Sequence, residues 1–162
     1  MHSLFEIQHL SYAYHTMQGE TAALSDITFT VNTGNYEPER FVAEVKGLEH
    51  VPEGGIRCEK CFVLRLSETA KLAQAHGFDY FTTSLTISPL KNATLLNEVG
   101  EAVAAEYCHG ATAFLNSDFK KKNGYKRSVE LSELYGLYRQ DYCGCLLASP
   151  NFIPFAISLC IL

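Results

Sequence analysis

Residues Arg57 to Thr86 read RCEKCFVLRLSETAKLAQAHGFDYFTTSLT, and the apolar period changes partway along. From Glu59 to His76 the pattern is helical: Phe62, Leu66, Ala70 and Ala73 fall at helical spacing on one face. Gly77 follows, the residue best able to adopt the left-handed turn that stops a helix. Phe78 to Thr86 is then aromatic and β-branched, which predicts a short buried strand. A helix that runs directly into a strand sets the fold class.

Towards the C-terminus, Ser88-Pro89 offers a hydroxyl cap and a proline at the first helical position, so a second helix is predicted there. It carries Leu95, Val99 and Val103 on one face and should end by Gly110. Ala111 to Leu115 predicts a second strand, and Ser128 to about Tyr138 a third helix. Strand–helix–strand order predicts an α/β fold: a helix-rich, incomplete parallel-sheet layer flanked by helices.

Towards the N-terminus, residues 1–35 predict a β-hairpin. Phe5 and Ile7 alternate with polar residues, as do Ile27, Phe29 and Val31. The character changes near Asn35 and Tyr36. The tail, residues 146–162, has no charged side chain; it is shorter than the roughly 20 apolar residues of a bilayer span and is broken by Pro150 and Pro154. The expected organisation is therefore 1–35, 36–145 and 146–162.

With 162 residues, 47% hydrophobic and 19% charged, the chain is long enough for one globular core. A formal net charge of −5 excludes nucleic-acid binding through overall charge. Residues 118–128 run against that balance. Lys120, Lys121, Lys122, Lys126 and Arg127 face only Asp118, a local +4 that leaves −9 on the rest. Met1 to Leu10 lacks the basic and apolar regions of a secretory signal, which places the chain in the cytosol. Close cysteine pairs there are more often metal-binding or catalytic than structural disulfides.

Four of the six cysteines form two such pairs. Cys58-Glu-Lys-Cys61 opens the helix, where free amides and the dipole stabilise thiolates, and Arg57 and Arg65 add positive charge. Half of a zinc site, half of an iron–sulfur site and a redox dithiol all fit this spacing. Cys143 and Cys145 are separated by Gly144 alone. A disulfide between them closes a small, strained and hence easily reduced ring, suited to reversible electron storage. The alternative joins all four thiols on one ion, giving a zinc-stabilised RNA-binding module without catalysis. Cys108 and Cys160 carry no assigned role. In the basic run, cations near Tyr125 can neutralise phosphates while the ring stacks on a base. Lys120, Lys121, Lys122, Tyr125, Arg127 and Arg139 are thus candidate substrate contacts, with Gln140 and Tyr142 beside Arg139.

The ordered blocks PEGGIRCEKCFVLRLSETA (52–70), GFDYFTTSLTISPLKN (77–92), DFKKKNGYKRS (118–128) and LYRQDYCGC (137–145) closely resemble the QueH-type epoxyqueuosine reductases. The resemblance covers about Tyr36 to Cys145. It implies reduction of the epoxide of epoxyqueuosine, at the wobble position of tRNA, to the cyclopentene of queuosine. It also implies an electron donor and a [4Fe-4S] cluster with an additional iron. By position, Cys58 and Cys61 match cluster ligands, Cys143 and Cys145 match a redox-active disulfide, and Asp118 matches an aspartate of unassigned role. The family's adjacent-cysteine motif has no counterpart, since no cysteine precedes Cys58. The expectation is a cluster site that this chain does not complete alone. LFEIQHLSYAYHTMQGETAALSDITFTVNTG (4–34) resembles the start of an ABC-transporter ATPase, but no Gly-x-x-x-x-Gly-Lys-Ser/Thr follows, so no ATP binding is expected. The two resemblances together point to a junction of two genes.

Overall fold

The computed structural model describes residues 3–16, 19–33, 38–139, 143, 145 and 158–161. It is α/β, with one five-stranded sheet in the order β1-β2-β5-β3-β4. The elements are β1 (Ser3–Thr16), β2 (Gly19–Thr33), α1 (Pro38–Glu44), α2 (Ile56–Ala75), β3 (Tyr80–Thr82), α3 (Ala93–Tyr107), β4 (Ala113–Phe114), α4 (Gly124–Leu134) and β5 (Ser158–Ile161).

The predicted hairpin is present. Phe5 lies opposite Val31, Ile7 opposite Phe29 and Leu10 opposite Ile27, as the alternation requires. β5, within the apolar tail, joins this hairpin to the rest by pairing antiparallel with both β2 and β3. β3 and β4 are parallel, and α3 forms the crossover between them. Threonines extend that short ladder: Thr82 donates to the Leu115 carbonyl at 2.8 Å and Thr112 to that of Phe78 at 2.7 Å.

The core lies between α2, α3 and β3. Phe62, Leu66, Ala70 and Ala73 of α2 meet Leu96, Val99 and Val103 of α3 over fully buried Phe81. Gly77 ends α2 as expected: its φ is +71°, and the Phe78 amide closes back on the Ala73 carbonyl at 3.0 Å.

Four boundaries differ from the sequence expectation, the simplest being the second strand, expected over Ala111 to Leu115 and formed only at Ala113–Phe114. The strand over Phe78 to Thr86 shrinks to β3, because the Thr83 hydroxyl accepts from the Leu85 amide and starts a 3-10 turn at Ser84–Ile87. α3 starts after Asn92, not at Ser88-Pro89. The Asn92 carboxamide caps the amides of both Thr94 and Leu95, whereas Ser88 only closes a local turn onto Leu90. The last helix lies about a turn earlier than predicted. It begins at Gly124, where a Cβ would collide with the Phe119 carbonyl oxygen. It ends at Leu134, and Gly136, at a φ of +61°, lets the Leu137 amide reach the Ser132 carbonyl at 2.8 Å. Among the described residues no helix is long and apolar enough to cross a membrane.

Candidate active site

Cys58 and Cys61 occupy the first turns of α2, one turn apart. Cys58 is buried at the edge of the core and accepts the Gly54 amide at 3.2 Å. No side chain caps this helix end. Burial pushes the Cys61 thiol above its ordinary 9.0; the Arg65 guanidinium, hydrogen-bonded to it, pulls the other way, and Cys145 and Cys143 add to the rise.

Lys91 links the two pairs: its Nζ lies 3.5 Å from Cys143 Sγ and also meets Glu53, the residue before the Gly54 amide that donates to Cys58 Sγ. The fold therefore brings together the two thiol pairs that the sequence separates. Cys143 is partly exposed and Cys145 buried, and all four thiols are free.

Lys91, in the loop before α3, stands among them. Its Nζ lies 3.5 Å from Cys143 Sγ and also donates to Glu53 Oε1. Its side chain is 12% exposed. Burial pushes the ammonium down, but the bond to Glu53 and the nearby Cys143 and Cys58 outweigh it and raise the group above its ordinary 10.5. The lysine stays charged, as a partner for thiolates must. Arg57 is the second buried cation. It gives one hydrogen bond to the Glu49 carbonyl at 3.1 Å, and its Nε is unpartnered. The sequence pointed to Arg57 and Arg65 but not to Lys91 or Glu53; a lone lysine in a loop carries no spacing signal.

The thiols are the soft donors that iron–sulfur clusters and zinc prefer. Their geometry is another matter: among the described residues no three His, Cys, Asp or Glu side chains come together in a metal-holding group. These four thiols as arranged fit neither a complete cluster site nor a closed zinc site.

The basic run is more ordered than a charge count implies. Lys120 Nζ donates to the Lys91 carbonyl at 2.8 Å, tying the run to the thiol site. Asp118 accepts the Lys120 amide at 3.3 Å and lies 3.9 Å from the ammonium groups of Lys120 and Lys121. Lys122 and Asn123 both hold left-handed backbone, at φ 52° and 63°, to make the corner into α4. Arg127 pairs with Glu130 at 3.2 Å. Arg139 lies over the Tyr125 ring at 5.7 Å and donates to Ser132 at 3.1 Å, so these two candidate contacts form one unit. Gln140 and Tyr142 lie outside the described residues.

The sequence model of the family described as epoxyqueuosine reductase QueH matches residues 7–151. Relatives bearing that same name include a Streptococcus pyogenes protein, 45% identical over 92% of this chain and 57% of its own length. A Staphylococcus epidermidis protein is 49% identical over 70% of this chain and 48% of its own. A Thermotoga maritima protein is 31% identical over 88% of this chain and 74% of its own. The chain spans about half the length of the first two. The family match takes in most of the hairpin, and nothing in these likenesses supports an ABC-ATPase origin for residues 1–35. With most of its length matched, from the hairpin through both thiol pairs, this chain belongs to the epoxyqueuosine reductase QueH family.

Proposed function

We propose that this chain carries the dithiol apparatus of an epoxyqueuosine reductase, which takes the epoxide oxygen from epoxyqueuosine in tRNA and leaves queuosine. The supporting observation is the Lys91 ammonium, 3.5 Å from Cys143 Sγ and bonded to Glu53, which adjoins the Gly54 amide that meets Cys58 Sγ. Removing an epoxide oxygen as water takes two electrons and two protons. Oxidation of Cys143 and Cys145 from two thiols to one disulfide yields that number of each. An external two-electron donor then reduces the disulfide again. Burial of Cys145 and the partial burial of Cys143 limit water at the sulfurs, and Lys91 holds a proton at Nζ beside Cys143 with Glu53 behind it.

Cys58 and Cys61 are the residues we assign to the family's [4Fe-4S] cluster, with its additional iron. Because the four thiols do not form a metal-holding group, the remaining ligands must come from outside them. Lys120, Lys121, Lys122, Arg127 and the Arg139–Tyr125 pair are the proposed tRNA contacts, the cations for phosphates and the ring for a base. A tRNA substrate places the reaction in the cytosol.

The test has two stages. Iron, acid-labile sulfide and zinc are measured per chain after anaerobic purification and reconstitution. The reduced chain is then mixed with epoxyqueuosine-containing tRNA without added donor. The expected result is iron and sulfide held well below a full cluster per chain, and at most one queuosine per chain, abolished in Cys143→Ser and Cys145→Ser. Zinc near one per chain with no product would replace the reductase reading by a structural module.

A further inference from the structure

We propose that Lys91 selects Cys143 as the reacting sulfur of the Cys143–Cys145 pair, leaving Cys145 as the buried partner that closes the disulfide. This rests on the reading of that pair as a working dithiol.

The two sulfurs are chemically alike, but their surroundings are not. Cys143 is partly exposed and lies within hydrogen-bond reach of an ammonium, at 3.5 Å. Cys145 is 7% exposed, and no described side chain donates a hydrogen bond to it. Lys91 is itself tethered. Glu53 holds Nζ from a second side, and Lys120 anchors the Lys91 carbonyl at 2.8 Å. A tethered, largely desolvated cation attracts a thiolate more strongly than a free surface lysine does. Among the described groups, Glu53 stands behind Lys91, and the Cys61 thiol, with Arg65 beside it, is within electrostatic range of Cys143. Of these, Lys91 alone makes a described hydrogen bond to the Cys143 sulfur.

In the reduced protein the Cys143 thiolate is therefore the nucleophile. Against an aromatic disulfide reagent it attacks one sulfur, breaks the S–S bond and expels one aryl thiolate. Cys145 then attacks Cys143 Sγ, expels the second aryl thiolate and closes the protein disulfide. The two thiol protons pass to buffer.

The experiment uses the full reduced chain under nitrogen, labelled briefly with iodoacetamide and mapped by mass spectrometry. Cys143 is expected to be modified before Cys145. Lys91→Met should slow labelling of Cys143 about tenfold, the loss expected when a charge-assisted hydrogen bond is removed. Labelling of Cys61 should change less than about twofold, which separates loss of the ammonium from general loosening. Lys91→Arg should restore most of the rate. With the aromatic disulfide, Cys145→Ser should stop after one aryl thiolate, with the adduct on Cys143. Faster labelling of Cys145, or a Cys143 rate unchanged by Lys91→Met, overturns the proposal. No tRNA enters these assays. A Lys91-dependent Cys143 in a chain without epoxide activity would sustain this inference while removing the reductase reading.

Discussion

Asn97 is the residue whose loss should most directly loosen the basic run. From α3 its carboxamide donates to the Ser117 carbonyl at 3.1 Å and accepts the Ser117 amide at 3.1 Å, much as a neighbouring strand would. The Ser117 hydroxyl in turn meets fully buried Thr86 at 3.0 Å. This clamp fixes the chain just before Asp118 and the lysines. Asn97→Ala removes both bonds at about 1 kcal/mol each. Alanine's better helix propensity returns about 0.5 kcal/mol, so the net loss should be about 1.5 kcal/mol. For a chain of this size that is a fall in Tm of about 3–6 °C. Because the lost bonds hold one segment, local opening should rise about tenfold. Limited trypsin digestion reads this directly, since Lys120, Lys121, Lys122, Lys126 and Arg127 are all cleavage sites. Asn97→Asp keeps the acceptor but sets a carboxylate oxygen against the Ser117 carbonyl, and should be at least as damaging. A stability loss below about 0.5 kcal/mol with an unchanged trypsin rate would show that the clamp does not hold the segment.

Gly124→Ala should destabilise by more than about 1 kcal/mol despite alanine's helix propensity, because the new Cβ would sit against the Phe119 carbonyl oxygen and backbone must move; urea unfolding that finds a gain refutes the corner described at Lys122–Gly124. Phe81→Ala should cost about 3–5 kcal/mol, since the ring is fully buried and packs edge-on against Phe114 at 5.2 Å; a loss under about 2 kcal/mol would mean that the core is not centred there. Glu68 joins α1 to α2 through Arg40 at 2.9 Å and also meets Lys71 at 3.2 Å. Burial pushes its carboxyl up, but these partners outweigh burial and hold it below the ordinary 4.5. Its contribution is thus full above that value and lost as pH falls through the lower folded value. At 44% side-chain exposure it should amount to a few tenths of a kcal/mol. The gap between the parent chain and Glu68→Gln, measured by denaturant titration, should close on acidification, and a gap that widens contradicts the assignment.

The parts of the fold that were legible in the sequence are those in which local and tertiary demands coincide. In α2 the helical period of Phe62, Leu66, Ala70 and Ala73 is also the face that the core needs, and Gly77 supplies the left-handed turn that returns the chain to β3. Where the two demands part, local signals fail. Ser88-Pro89 and Asn92 are both good helix starts on propensity. The choice falls to Asn92 because residues 84–87 are drawn into a 3-10 turn that places Thr86 against Ser117. The site divides in the same way. Each thiol pair is visible from spacing alone, since its chemistry depends on near neighbours. Lys91 is not, because it acquires meaning only from Glu53, 38 residues away, and Cys143, 52 residues away. Its nearest sequence neighbours, Leu90 and Asn92, give no hint of either. A charge that organises a site through two distant partners is a property of the folded chain, and it is at such residues that structure adds most to what a motif can say.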